Sequence, residues 1–126
     1  MGILAEIFTW WNGQTLGTRL FTRRRGVKVG EDERGNVFYT SKDGARRWVI
    51  YAGEADASVV SPAWHGWLHH TFDEIPSEAP LPRKAWEKPH VPNMTGTVEA
   101  YRPPGSILTP ERRRPVSADY QAWQPD

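Results

Sequence analysis

The sequence predicts a small α+β protein with an N-terminal amphipathic helix, a three-stranded antiparallel β-meander and a long, extended, proline-rich C-terminal segment. Three observations predict this fold class. Apolar residues near the N-terminus recur at helical spacing, β-branched and aromatic runs follow between turn signals, and all eleven prolines lie at or after Pro62. Because proline fixes φ and lacks an N–H, the second half cannot hold long helices or central strands. We therefore divide the chain into residues 1–26, 27–74 and 75–126.

Composition restricts the function classes. The 126 residues carry a net charge of +1 and are 38% hydrophobic, with seven tryptophans and no cysteine. The small net charge gives no strong field for nucleic acid or membrane, and the lack of cysteine excludes disulfides and thiol chemistry. No apolar run approaches the ~20 residues that span a bilayer, and Glu6 and Asn12 interrupt any secretory signal. Tryptophan is enriched at the centres of protein interfaces.

The first region, residues 1–26, carries one apolar stripe of a helix, formed by Ile3, Leu4, Ile7, Phe8 and Trp11. Gly13 and Gly17 weaken or end this helix, and a basic turn with three arginines, residues 23–25, follows the next apolar residues. Two interpretations remain open. The helix packs on the domain with a solvated arginine cluster, or it lies on a membrane surface or in a groove of a partner.

The second region, residues 27–74, predicts the meander, with strands at 27–29, 37–40 and 46–51. Turns are expected at 31–36 and at Lys42-Asp43-Gly44, the latter of the Asp-Gly hairpin kind. A sheet this small needs one face covered, either by the N-terminal helix or by the Trp64–Trp67 segment. A short helix or turn over 63–71 is expected to follow Pro62 at its first position.

The third region, residues 75–126, shows neither a helical nor a strand period. Such a long irregular segment is uncommon inside a compact domain. Apolar residues nevertheless recur at wide intervals along it, namely Trp86, Met94, Tyr101, Ile107, Leu108, Tyr120 and Trp123. Spaced apolar anchors on a proline-stiffened chain are typical of a segment that wraps a partner's surface.

The densest candidate for chemistry is the run Trp64-His65-Gly66-Trp67-Leu68-His69-His70. His65 and His69 are spaced for one helix face and could bind a metal, but no glutamate base or third ligand accompanies them. Histidines that hydrogen-bond backbone or partner groups are the favoured interpretation. No nucleophile is set beside a base, and the glycines match no phosphate-binding loop. An aromatic sheet that stacks on RNA bases is a weaker alternative.

Three stretches give the chain a family resemblance. They are GNVFY with RRWVIY (35–39 and 46–51), SPAWHGWLHHT (61–71), and KPHVPNMTGT with AYRPPGS (88–97 and 100–106). In these stretches the chain resembles the seventeen-kilodalton accessory subunit family of proton-pumping NADH:ubiquinone oxidoreductase, respiratory complex I.

The resemblance implies a non-catalytic subunit without a cofactor, which stabilises or assembles the peripheral arm near its junction with the membrane arm. The expected partners are core and accessory subunits of that arm, with peripheral membrane contact through the N-terminal helix, and neither nucleic acid nor a small-molecule substrate. The short chain without an Arg/Ser-rich presequence favours a bacterial member, which would lie on the cytoplasmic side of the inner membrane. A mitochondrial member would lie on the matrix side. The alternative is an assembly factor of the same complex that binds only immature subcomplexes.

The predicted partner interface draws on the aromatic anchors and on the stretches that carry the resemblance. We expect the largest contributions from a few buried anchors, since a minority of interface residues dominates binding. The predicted interface residues are Trp64, His65, Trp67, His69, His70, Trp86, Pro89, His90, Pro92, Asn93, Tyr101 and Arg102.

Overall fold

The structure is a computed structural model that describes residues 2–8, 13–109, 111–113, 115–116 and 119–126. Its helices are α1 (Ile3–Phe8), α2 (Leu16–Arg25) and α3 (Pro62–Leu68), with a 3₁₀ turn at Ala57–Val59, and its strands are β1 (Gly26–Glu31), β2 (Val37–Ser41) and β3 (Arg47–Ile50). The predicted α+β class is confirmed. Residues 1–92 form one compact unit and 93–126 a second. None of the helices in the described ranges is long and apolar enough to cross a bilayer.

The N-terminal apolar run forms two helices. Gly13 adopts a left-handed φ of 71° before α2, and the Thr15 hydroxyl oxygen caps α2 by accepting from the Thr18 N–H at 3.2 Å. Gly17 lies inside α2 and does not end it, and the arginine triplet forms the last helical turn. The predicted contribution of Trp11 to the stripe lies outside the described residues.

The three strands pair as the predicted antiparallel meander, in the order β1-β2-β3. The first connection is held by Asp32, whose carboxylate accepts from the backbone N–H groups of Arg34 and Asn36, each at 2.9 Å. The buried Asn36 side chain in turn accepts from the Ala52 N–H at 3.1 Å. The second connection is longer than the predicted two-residue Asp-Gly turn, because the Ser41 N–H donates to the Arg46 carbonyl and closes it. Within this connection, only Gly44 has a positive φ.

Helix α2 and the Trp64–Trp67 segment cover the sheet, one on each face, whereas Ile3, Leu4 and Phe8 of the predicted stripe are each more than 70% exposed. On one face Trp48 lies against the Phe21 ring, with centroids 5.3 Å apart, and its Nε1–H donates to the Thr22 hydroxyl at 3.0 Å. On the other face Phe38 and Val49 pack under α3. The alternation of side chains along a strand assigns Trp48 and Val49 to opposite faces, so α2 and α3 sandwich the sheet.

The core is small and aromatic. Within the described ranges, its buried hydrophobic residues are Phe38, Val60, Trp64 and Trp67. Trp64 lies nearly parallel to Phe38, with ring centroids 4.0 Å apart and an interplanar angle of 4°. A Cβ on Gly30 would lie 2.7 Å from the Trp64 ring. Gly30, beside a bulge in β1, therefore makes room for the indole.

Helix α3 ends in a tight chain reversal. Pro62 occupies its first turn, as predicted. At the other end the His70 N–H donates to the Trp67 carbonyl at 3.2 Å and the Thr71 N–H to the Gly66 carbonyl at 2.9 Å. This bonding pattern is a Schellman motif, which usually has glycine at the left-handed position. Here that position is His70, with φ of 56°.

The reversal brings Phe72 back onto α3 at Gly66, where a Cβ would lie 2.8 Å from the ring carbon Cζ. We predict that Gly66→Ala destabilises the chain by about 1–3 kcal/mol, because overpacking outweighs the helix propensity gained, about 0.5–1 kcal/mol. The midpoint of urea unfolding of the full chain measures this. Gly53→Ala is the control, since a Cβ on Gly53 would have nothing within 4 Å of it; equal midpoints for both variants would contradict the prediction.

Candidate partner-binding surface

Two of the predicted interface tryptophans lie inside the chain's own core. Trp64 is 5% exposed and Trp67 is 3% exposed. The two rings meet edge to face at 5.6 Å, and Trp67 also meets Phe38 edge to face at 6.4 Å. Neither indole lies at the surface. Gly30 leaves space for the Trp64 ring, and both indoles pack against Phe38. Their substitution therefore tests folding before it tests binding.

Arg47 joins β3 to the end of α3. Its guanidinium donates to the carbonyls of Trp67 at 2.7 Å and Phe72 at 3.1 Å, and pairs with the Asp73 carboxylate at 2.6 Å. Its central carbon lies 4.8 Å from the Trp67 ring centroid. Because the last carbonyls of a helix lack intrahelical donors, this arginine completes the cap and fixes the reversal.

The three predicted interface histidines of the α3 segment are all exposed. His65 and His69 lie one helical turn apart with ring centroids 4.2 Å from each other, as their spacing predicted. In the part of the chain that the structure describes, no group of three or more metal-ligating side chains comes together. The pair and His70 thus present ring nitrogens at the surface, where they can donate or accept hydrogen bonds.

The segment from Ile75 to Pro92 lies in the first compact unit. Its end is held by His90, whose Nε2 lies 2.8 Å from the Ser58 carbonyl oxygen, while the His90 carbonyl accepts from Arg34 at 3.4 Å. Pro92 is partly buried and Pro89 exposed. Trp86 is 79% exposed. The segment is therefore anchored at its end and presents an indole to solvent.

The second unit, residues 93–126, is built from turns. Asn93 accepts from the Thr95 N–H at 3.1 Å, and Gly105, with φ of 89°, donates to the Glu111 carbonyl at 2.7 Å. No helix or strand occurs in its described residues. Arg102 is exposed. The large apolar side chains of this unit that stand mostly in solvent are Val98, Tyr101, Ile107, Leu108, Val116, Tyr120 and Trp123.

Local structure shifts the pKa of two ionisable groups in the part of the chain that the structure describes. Hydrogen bonds from the Ser41 hydroxyl and then the Ala45 N–H lower the pKa of the exposed Asp43 carboxyl. Burial, reinforced by the Asp56 carboxylate, raises the pKa of the Tyr51 hydroxyl. Both causes act where turns join the sheet. Neither group lies among the predicted interface residues.

The structure also brings together residues to which the sequence analysis gave no individual role. Gly30, Gly66 and Phe72 shape the tryptophan core, and Arg47 closes it. A further feature is an open cleft beside β3, lined by residues of α2, β3 and the α3 cap. In the sequence, this cleft is marked only by two adjacent arginines, Arg46 and Arg47, at the start of β3. The sequence does not show which of the two guanidinium groups turns inward.

Aromatic side chains are enriched at the centres of protein interfaces, so the exposed aromatic side chains of the turn-built segment indicate a protein-binding surface. A family model described as NADH ubiquinone oxidoreductase subunit NDUFA12 matches residues 26–125. The match spans the sheet, α3 and nearly all of the C-terminal segment. The chain therefore belongs to this family of NADH ubiquinone oxidoreductase subunits, and the resemblance seen in the sequence is confirmed.

Curated relatives carry the same name. NADH dehydrogenase (ubiquinone) 1 alpha subcomplex subunit 12 of Dictyostelium discoideum is 35% identical over 94 residues, which are 71% of this chain and 68% of that protein. The Bos taurus protein of the same name is 39% identical over 93 residues, 64% of each chain. An uncharacterized protein of Rickettsia prowazekii is 40% identical over 61 residues, 44% of this chain and 61% of that one. The chain thus spans about two thirds of the length of the named relatives.

Proposed function

We propose that this chain is a non-catalytic accessory subunit of proton-pumping NADH:ubiquinone oxidoreductase, and that it stabilises or assembles the peripheral arm near the junction with the membrane arm. The observation that carries the proposal is the family match over residues 26–125. The match includes the sheet, α3 and nearly all of the C-terminal segment, and it begins directly after α2. Relatives named as subunits of the 1 alpha subcomplex of NADH dehydrogenase support the same role.

The exposed aromatic side chains supply a physical basis for binding. Trp86, Tyr101, Tyr120 and Trp123 are 79%, 85%, 88% and 82% exposed. Rings of this kind bury ~150–250 Å² each, so four of them could supply on the order of 600 Å² of the ~800 Å² that one partner contributes to a standard interface. The chain could therefore bind a larger protein mainly through its C-terminal half.

The proposal includes a place at the membrane. The expected site is the cytoplasmic side of a bacterial inner membrane, or the matrix side in mitochondria, and the match to a Rickettsia protein supports a bacterial member. Peripheral lipid contact is proposed for α1, where Ile3, Leu4 and Phe8 are each more than 70% exposed. An exposed apolar helix face of this kind suits the interfacial region of a bilayer.

Native electrophoresis of gently solubilised membranes tests the proposal, with a C-terminal tag on the chain and an in-gel NADH dehydrogenase stain. Co-migration of the tag with the full-size active band is expected. Migration only with smaller, inactive bands would instead support the assembly-factor alternative. Recovery of the tag alone in the soluble fraction would contradict both roles.

Trp86 offers the sharpest single-residue test of binding. We predict that Trp86→Ala lowers the fraction of tag retained with the active band. An indole that becomes buried against a partner often contributes ~2 kcal/mol or more to binding. The unfolding midpoint of the full chain should not change, since this side chain is 79% exposed. Lys84→Ala, an exposed neighbour in the same turn, is the control. Wild-type retention of Trp86→Ala through detergent purification would argue against the anchor.

A further inference from the structure

An open cleft of about 740 Å³ lies between α2 and the end of the sheet. The lining includes Thr18 and Phe21 from α2, Trp48 and Val49 from β3, Arg46 before that strand, and His70 from the α3 cap. Its size is within the ~300–1,000 Å³ typical of ligand sites. One wall is apolar, formed by the Phe21 and Trp48 rings, whose centroids lie 5.3 Å apart. The polar lining includes Arg46 and His70.

The charge of the cleft is one-sided. Arg47 directs its guanidinium inward to Trp67, Phe72 and Asp73. Arg46 is exposed, and among the described residues no carboxylate lies within ion-pair distance of its guanidinium. No acidic residue lines the cleft within the described ranges. The charge of Arg46 contributes to lowering the pKa of the Asp43 carboxyl, and that carboxylate already accepts hydrogen bonds from the Ser41 hydroxyl and the Ala45 N–H.

His70 occupies this lining at a conformational cost. It is the only non-glycine residue with positive φ in the described part of the chain, at a cap position where glycine is favoured. A strained residue held by its surroundings is a reason to look for a function at that place. Here the strained residue contributes an imidazole to the same cleft as Arg46.

The cleft also runs along a sheet edge. Four consecutive residues, 46–49, line it, and β3 pairs only with β2 among the described strands. At ~3.3 Å per residue, this edge extends over roughly 10–13 Å. An outer strand edge with unpaired backbone groups is a template for adding an extended peptide, which a small free anion would not use.

We propose that this cleft binds an extended, carboxylate-bearing segment of a partner protein. The segment lies along β3, its carboxylate contacts Arg46 and His70, and an adjacent apolar side chain packs on Phe21 and Trp48. The inference rests on the proposed function, since the partner is then a neighbouring subunit of the same complex. Opposite charge and an apolar wall together select an acidic segment with an apolar neighbour.

The first test compares Arg46→Gln and His70→Gly with Lys42→Gln, an exposed cation of the same loop that does not line the cleft. Each full-length tagged chain is assayed for its unfolding midpoint and for retention with the NADH dehydrogenase band as salt is raised. Arg46→Gln should keep the wild-type midpoint and bind about tenfold more weakly, which corresponds to about 1.4 kcal/mol. Lys42→Gln should match wild type in both.

His70→Gly gives a distinctive pair of results. Glycine relieves the strain of the left-handed backbone conformation, so the midpoint of thermal unfolding should rise by about 3 °C. The fraction of chain retained with the NADH dehydrogenase band should fall. A histidine with only a structural role would not weaken binding while stabilising the chain. Wild-type retention of both His70→Gly and Arg46→Gln would overturn the proposal.

A second test locates the carboxylate. Arg46→Lys places a primary amine at the cleft, and a carbodiimide joins such an amine to a contacting carboxylate with loss of water. In the purified complex we expect a cross-link from position 46 to an acidic residue of another subunit. A cross-link only within this chain would overturn the proposal. Failure of the wild-type tag to co-migrate with the active band would instead refute the proposed function itself.

Discussion

Trp64→Ala is expected to remove a large share of the stability of the first compact unit. The indole fills the space between the Phe38 ring, 4.0 Å away, and Gly30, whose missing side chain leaves that space open. Truncating a buried tryptophan costs about 3–5 kcal/mol, because transfer free energy and a residual cavity add. Small proteins are stable by only about 5–15 kcal/mol, so a large share of the folding free energy is lost.

Urea unfolding of the full chain, followed by circular dichroism, measures the Trp64→Ala effect. Trp86→Ala is a matched control, since it deletes the same side chain from a position that is 79% exposed and should change stability by less than about 0.5 kcal/mol. An unfolding midpoint for Trp64→Ala close to that of the control would contradict the stacked core described above.

Arg47→Ala is expected to have the second largest effect, a loss of about 2–4 kcal/mol. Its guanidinium is the donor to the Trp67 and Phe72 carbonyls, and the side chain is only 9% exposed. The Phe72 carbonyl would lose this donor, which costs about 1–3 kcal/mol, while the Trp67 carbonyl would keep the His70 N–H. The contact of the guanidinium with the Trp67 ring, 4.8 Å from its centroid, would be lost as well. The Asp73 pair adds less, because the Asp73 side chain is 87% exposed and solvent screens it.

Conservative substitution separates geometry from charge at this position. Arg47→Lys keeps the charge but lacks the planar fork of donors, so it should recover only part of the stability lost in Arg47→Ala. The exposed neighbour provides the control, since Arg46→Ala should change the unfolding free energy by less than about 0.5 kcal/mol. Full recovery by lysine would show that charge alone matters there.

Both predictions concern positions that the sequence pattern could not rank. The sequence predicts a strand over 37–40 without assigning its faces, and the structure shows that Phe38 is fully buried. Tryptophan contributes strongly both to cores and to interfaces, so residue type did not separate Trp64 and Trp67 from Trp86. The separation depends on contacts with Gly30 and Phe38, which lie 34 and 26 positions before Trp64 in the sequence.

The C-terminal half shows a similar division. Proline content predicted the lack of long regular elements, and residues 93–126 contain no helix or strand where they are described. Sequence alone did not indicate that His90 fastens the preceding segment to Ser58. A side-chain to carbonyl hydrogen bond across 32 positions leaves no periodic signal.

The sequence by itself determined the α+β class, the order of the meander, the start of α3 at Pro62 and the family, because turn residues, alternation and proline act locally. Only the tertiary structure decided that both tryptophans of α3 are buried, that Arg47 turns inward while Arg46 faces the cleft, and that His70 takes a left-handed conformation. These outcomes depend on close packing between segments that are far apart in the sequence.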